Sequence, residues 1–140
     1  VPLELSSLTH AIQSFRDAID VERGALANPA FDARARIVLR AGVIQSFEFT
    51  YEMCWKFMKR WLEANVGRTY VEGVARRELF RLAFENGLIA DIERWMDAHF
   101  ARNRTSHTYD EDAAVDVLAV AREFVHDAEQ LAAALAARNA

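Results

Sequence analysis

The chain has 140 residues, a net charge of −4, 52% apolar and 27% charged residues. That length suits one domain spanning residues 1–140, and the composition excludes a disordered chain. Five glycines and two prolines are few for an all-β chain full of tight turns, and the longest stretch without a charge, Leu5 to Phe15, is 11 residues against the roughly 20 of a membrane-spanning helix.

The elements read as helices throughout, because two-residue alternation never persists. Leu8, Ile12, Phe15 and Ile19 recur at spacings that build one apolar helical face, predicting a first helix from about Ser7 to Gly24. Gly24 and the Asn28, Pro29 pair break that pattern. A long second helix is expected from Ala33 to Asn65, about 50 Å at 1.5 Å per residue. Its first apolar row is Ile37, Ala41, Ile44, Glu48, Tyr51, Trp55, Met58 and Leu62. A second row, Val43, Phe47, Thr50, Cys54, Phe57 and Trp61, lies beside it. Two adjacent rows give the broad buried face of a bundle helix, and Gly67 ends it.

A third helix is expected over about Glu72 to Glu85, with Leu79, Leu82 and Ala83 inward and Asn86, Gly87 as its stop. Asp91 caps a fourth helix carrying Ile92, Trp95, Met96, His99 and Phe100. Thr108 and Glu111 have capping-box spacing. They predict a last helix to about Arg138 with Val117, Val120, Phe124, Ala128, Leu131 and Leu135 on one side. The expected fold is all-α: an up-and-down bundle of four main antiparallel helices plus a shorter one.

Charge is unevenly spread. Residues 34–81 hold ten basic and five acidic side chains, net +5, while residues 105–140 are net −5. A basic middle third attracts phosphate, or is an ordinary solvated face pairing with acidic neighbours. Val1, Pro2, Leu3 and Glu4 lack the basic and apolar regions of a signal peptide. Cys54 is the only cysteine, so no internal disulfide forms, which fits a reducing, cytoplasmic setting.

No phosphate-cradling glycine motif and no HExxH occurs. Glu123 and His126 make half of a bundle di-iron pattern whose second half is missing. Neither a metal site nor a cofactor is expected. Glu48 stands inside the apolar stripe, where a carboxylate must be paired or solvated. It is either a structural ion pair or stripe edge, or the group that orients a functional cation.

The densest polar cluster is Arg102, Asn103, Arg104, Thr105, Ser106, His107, Thr108 and Tyr109. Arginine supplies a permanent forked cation suited to phosphate, and histidine exchanges protons near neutral pH. On a continuous helix Arg102 and His107 would diverge by about 140°. They converge only if the helix ends here or two copies meet across a dimer axis. The cluster is otherwise a polar connection between helices.

Arg102, Asn103, His107 and Tyr109 reproduce the spacing RNxxxHxY and resemble the signature of HEPN domains. Gln45, Phe47, Glu48 to Glu52, Trp55 and Lys56, then Gly87 to Ile89, Trp95, and Ser106 to Glu111 resemble one subgroup in order and spacing over roughly residues 37–125. That subgroup is the nucleotidyltransferase substrate-binding proteins, which include HepT-like toxins. The resemblance implies a helical homodimer partnered with a minimal nucleotidyltransferase. It implies a metal-independent ribonuclease toxin with RNA as substrate, silenced when its partner nucleotidylates the motif tyrosine. Carried onto this chain, Arg102 and His107 are catalytic, Asn103 and Glu48 support them, and Tyr109 is the modification site. Two readings of other classes stay open: a non-catalytic accessory subunit of the nucleotidyltransferase, and a bundle that only oligomerises.

Overall fold

The computed structural model describes residues 2–139. Six α-helices follow in order: α1 (Ser6–Leu26), α2 (Ala33–Asn65), α3 (Arg68–Val71), α4 (Arg76–Glu85), α5 (Ile92–Asn103) and α6 (Glu111–Ala137). A 3₁₀ turn, Thr105–His107, joins α5 to α6. The architecture is the expected all-α, up-and-down bundle, with α1, α2, α5 and α6 as its main helices and α4 as the shorter one. Among the described residues, no helix is long and apolar enough to cross a membrane.

The long helix α2 is the spine. Asp32 starts it by accepting a hydrogen bond from the Ala35 amide, which satisfies one of the donors a helix N-terminus leaves free. Helix α1 packs along α2, and α6 lies against α1, α2 and α5. Phe124 of α6 is the hub of the core. It meets Trp95 edge-on at 5.1 Å and Phe47 edge-on at 5.5 Å between ring centroids, with Phe15 and Tyr51 alongside. Edge-to-face contacts of this kind align the positive ring edge with the negative face. One aromatic cluster thus ties α1, α2, α5 and α6 together.

Two charged side chains are buried in the bundle. Glu22 is 3% exposed and accepts from Arg122, linking α1 to α6. Asp127 is 9% exposed and accepts from Arg94 Nε at 3.0 Å and Nη2 at 2.9 Å, linking α5 to α6. Each buried carboxylate is thereby compensated by a forked donor.

Several expectations are corrected. The third helix begins at Arg76, not Glu72, because Gly73 adopts φ +76° and Glu72 is extended. A separate one-turn helix, α3, fills the space after Gly67. Ile37 and Ala41 do not lie in the core: they are exposed, Ile37 at 53%. Both line the open cleft between α2 and the 3₁₀ turn. Phe100 is likewise exposed, and Leu82, Val120 and Trp55 are only half-buried. Finally, Thr108 does not cap α6. Its hydroxyl donates to the Thr105 carbonyl, and Asp110 caps by accepting from the Asp112 amide. Thr108 follows the 3₁₀ turn directly and its hydroxyl is turned back to that turn, and aspartate is at least as good a cap as threonine.

Candidate functional site

Helix α5 ends at Asn103, inside the motif. The Arg104 amide turns back to the carbonyls of Phe100 and Ala101, and the His107 amide donates to the Arg104 carbonyl at 2.9 Å. The divergence of a continuous helix therefore does not apply between Arg102 and His107. Arg102 points back to α2, while His107 and Tyr109 stand on the exposed connection.

Arg102 is the best-held member of the cluster. Its Nε donates to Glu52 Oε1 at 3.1 Å, its Nη2 lies 3.5 Å from Glu48 Oε1, and its Nη1 donates to Thr105 Oγ1 at 3.3 Å. Glu52 is fixed in turn, because the Trp55 indole donates to its Oε2 at 3.0 Å. Glu48 and Glu52 are one helical turn apart on α2, so both reach the same guanidinium. The Arg102 side chain is 28% exposed. It is screened enough to be held and open enough to meet a ligand.

His107 and Tyr109 sit side by side, their rings 6.1 Å apart and nearly perpendicular. Tyr109 is 86% exposed, and His107 and Asn103 are exposed as well. Among the described residues, Arg102 and His107 share no hydrogen bond within one chain. A cleft of about 250 Å³ opens between the first half of α2 and this turn, lined by Arg40, Gln45, Glu48, Thr105 and Thr108. Arg40 closes one end by a two-pronged pair with Glu111, at 2.8 and 2.9 Å. The Glu111 carboxyl is held below its usual range by that pair.

Behind Arg102, the Tyr51 hydroxyl and His99 Nδ1 share a 2.9 Å hydrogen bond. Burial pushes the Tyr51 phenol up. His99 is pushed below its ordinary value, first by burial and then by the nearby Arg76 cation. Both shifts favour the neutral forms, so the pair adds no charge near Arg102.

A family model described as "Nucleotidyltransferase substrate binding protein like" matches residues 3–137. The chain belongs to this family. Within it, the chain is 39% identical over 113 residues to the "Probable ribonuclease HepT" of Haemophilus influenzae, covering 78% of this chain and 77% of that protein. A solved Haemophilus influenzae structure, described as revealing the fold of a substrate-binding domain of a nucleotidyltransferase, superposes with a TM-score of 0.84 at 31% identity. It covers 95% of this chain and 99% of its own. A solved Thermus thermophilus protein matches with a TM-score of 0.64 at 25% identity, over 86% of this chain and 98% of its own.

In this family member Glu48 lies 3.5 Å from Arg102, an ion pair that both the structural and the orienting reading of the stripe carboxylate allow. Glu52, Trp55, Thr105, Tyr51 and His99 complete the surroundings of the arginine and were not singled out by residue chemistry. Glu52 carried a usable signal. It lies four residues after Glu48, the spacing that stacks two carboxylates on one helix face.

Proposed function

We propose that this chain is a HEPN-type ribonuclease toxin that cleaves RNA without a metal ion, with Arg102 and His107 as its catalytic residues. The observation that carries this reading is the clamped Arg102: one guanidinium held by two carboxylates at a helix end, beside an exposed histidine. The kinship to a probable ribonuclease supports it.

The chemistry needs no group beyond these. The RNA 2′-hydroxyl attacks the adjacent phosphorus as His107 takes its proton, a role typically worth about 10²–10⁴-fold. Arg102 donates to the phosphorane oxygens as negative charge builds there. The P–O5′ bond then breaks, and a protonated imidazole delivers the proton to the leaving oxygen. The products are a 2′,3′-cyclic phosphate and a 5′-hydroxyl. Each chain carries one such histidine, so a homodimer supplies the base from one copy and the acid from the other. Exposed Ile37 (53%) and Val38 (70%), beside the cleft, suit a face that a second copy covers. Asn103 supports the site from the end of α5, and Glu48 holds the arginine.

Tyr109 is the point of control. Its 86% exposure leaves the phenol open to a partner. A minimal nucleotidyltransferase holding a nucleoside triphosphate attaches a nucleotidyl group there: the phenolic oxygen attacks the α-phosphorus, pyrophosphate leaves and the phenol gives up its proton. The tyrosine ring lies 6.1 Å from the histidine ring, so the added group blocks RNA, whose phosphates would otherwise occupy the site. An RNA target places the pair in the cytoplasm.

The description of the solved relative as part of a nucleotidyltransferase favours a second reading, a non-catalytic accessory subunit. Growth after induced expression separates the two. The toxin reading expects arrest by the wild type, relief in Arg102→Ala and His107→Ala, and relief on co-expressing the nucleotidyltransferase. Cleavage of single-stranded RNA should survive a chelator. Soluble wild-type protein that neither arrests growth nor cuts RNA overturns the toxin reading and leaves the accessory one.

A further inference from the structure

Arg76 is the first residue of α4, and its guanidinium carbon lies 3.6 Å above the Trp55 ring centroid. Among the described residues no carboxylate lies within ion-pair distance of it, and no protein acceptor takes a hydrogen bond from any of its side-chain nitrogens. Its Nε is buried with no partner. Arg36 Nε and Trp61 Nε1 are buried without partners too; what sets Arg76 apart is its stack on Trp55, whose indole is bonded to the Arg102 cluster. An unsatisfied buried donor is costly. Arg94 and Arg122 contrast with Arg76, since each pairs with a buried carboxylate. Lys56, exposed and without an ion-pair partner among the described residues, stands 5.7 Å from the same indole centroid.

The position is tied to the motif. Trp55 donates to Glu52, and Glu52 accepts from Arg102. One indole and one carboxylate thus separate Arg76 from Arg102, and both cations bear on His99. Stacking on Trp55 holds the planar fork in place, with its Nε side buried and its two Nη nitrogens making no hydrogen bond to protein among the described residues. Glu48 and Glu52 together outweigh Arg102 by one charge, and Arg76 and Lys56, neither with a carboxylate in ion-pair distance among the described residues, bring the sum of the five groups to +1.

We propose that Arg76, stacked on Trp55 and aided by Lys56, is a subsite for a phosphodiester of single-stranded RNA next to the one that Arg102 engages. The subsite extends the ribonuclease reading and rests on it. It sets the direction in which the strand leaves the cleft, across the Trp55 face of α2 toward the start of α4.

The test is binding of a short, fluorescein-labelled 2′-O-methyl oligoribonucleotide, which lacks the 2′-hydroxyl nucleophile. Affinity is followed by anisotropy over a range of salt, beside a cleavage assay on unmodified RNA. Losing one phosphate contact from a single strand should flatten the slope of log K against log salt by about 0.7. Arg76→Gln is expected to show that change and to bind about tenfold more weakly at low salt. Lys56→Gln, on an exposed side chain, should show a smaller loss and keeps the test decisive if Arg76→Gln fails to fold. Arg81→Gln, whose arginine already pairs with Glu78 and Glu85, should match the wild type. A merely structural Arg76 would lower Tm and leave the slope unchanged. Wild-type affinity and slope in both Arg76→Gln and Lys56→Gln overturn the subsite, and the ribonuclease reading stands if the wild type still cleaves. Arg76-dependent binding without cleavage supports the subsite and removes the ribonuclease. A wild type that binds no oligonucleotide at low salt overturns the subsite whatever the cleavage assay gives.

Discussion

The molecule holds two kinds of arginine–carboxylate cluster, and they are built differently. Arg122 meets Glu22 deep between α1 and α6, where the carboxylate side chain is 4% exposed. Arg102 meets Glu48 and Glu52 at the rim, where those carboxylate side chains are 43% and 31% exposed. The first pair joins two helices, and its charges neutralise one another. The second holds a part-exposed cation next to a cleft that its partners Glu48 and Thr105 line. Burial of the carboxylate decides what each does: a pair with an enclosed carboxylate is a structural contact whose rupture strands a charge, whereas a rim cluster contributes little to stability and is free to serve a ligand.

The largest effect should fall on the exposed side of the rim cluster. His107→Ala is expected to lower RNA cleavage by about 10²–10⁴-fold. Its side chain is exposed, so Tm should stay near the wild type. A rate constant and a melting curve on the same preparation check both halves. A large loss of Tm would show that the two regions are not separable in this way.

Glu22→Gln inverts the pattern. It leaves the Arg122 guanidinium without its carboxylate inside the bundle, at a cost of about 2 kcal/mol, less than a fully enclosed pair because Arg122 reaches solvent. Denaturant unfolding should show the loss, while cleavage at a temperature where the variant is folded stays unchanged. Glu52→Gln is expected to do the opposite at smaller scale. Arg102 loses one charge-assisted bond and Trp55 keeps an acceptor. Cleavage should fall about tenfold, through kcat and not KM, with Tm almost unmoved. Equal losses of stability in the Glu22 and Glu52 variants would erase the distinction between the clusters.

How far the residues foretold this depends on whether the deciding interaction is local. The bounds of α2, Ala33 and Asn65, were legible because two adjacent apolar rows run between the Asn28, Pro29 break and Gly67. The exposure of Ile37 and Ala41 was not. A stripe tells which face is apolar but not whether another helix reaches it. Thr108 illustrates competition between local rules: a valid capping box lost to Asp110 once the 3₁₀ turn had taken Thr105–His107. The site shows the same division. Glu48 was conspicuous because a carboxylate interrupts its row. The spacing of Glu52 from Glu48 was on the page but gained meaning only from Arg102, 50 residues away, and Arg76 became visible only across a helix–helix contact with Trp55.

The smallest effect concerns His99, which lies between the two regions. It is hydrogen-bonded to buried Tyr51 and sits behind Arg102. Burial and the neighbouring cations lower its pKa in the folded protein below the ordinary 6.5. The unfolded chain therefore binds this proton more readily than the folded one. His99 costs no stability above about pH 6.5, and stability falls as pH drops below that value toward the lowered folded pKa. His99→Gln keeps a polar partner for the Tyr51 hydroxyl without a titrating group. It should flatten this part of the stability–pH curve by less than about 1 kcal/mol, because His99 is only partly buried. The carboxylate pairs, such as Arg40 with Glu111, lose stability only at lower pH, through the carboxylate range. Urea unfolding between about pH 5 and 8 thus isolates the histidine. An unchanged slope in His99→Gln would mean that His99 is protonated equally in both states, and that the base of Arg102 is open to solvent and not sealed by the Tyr51 pair.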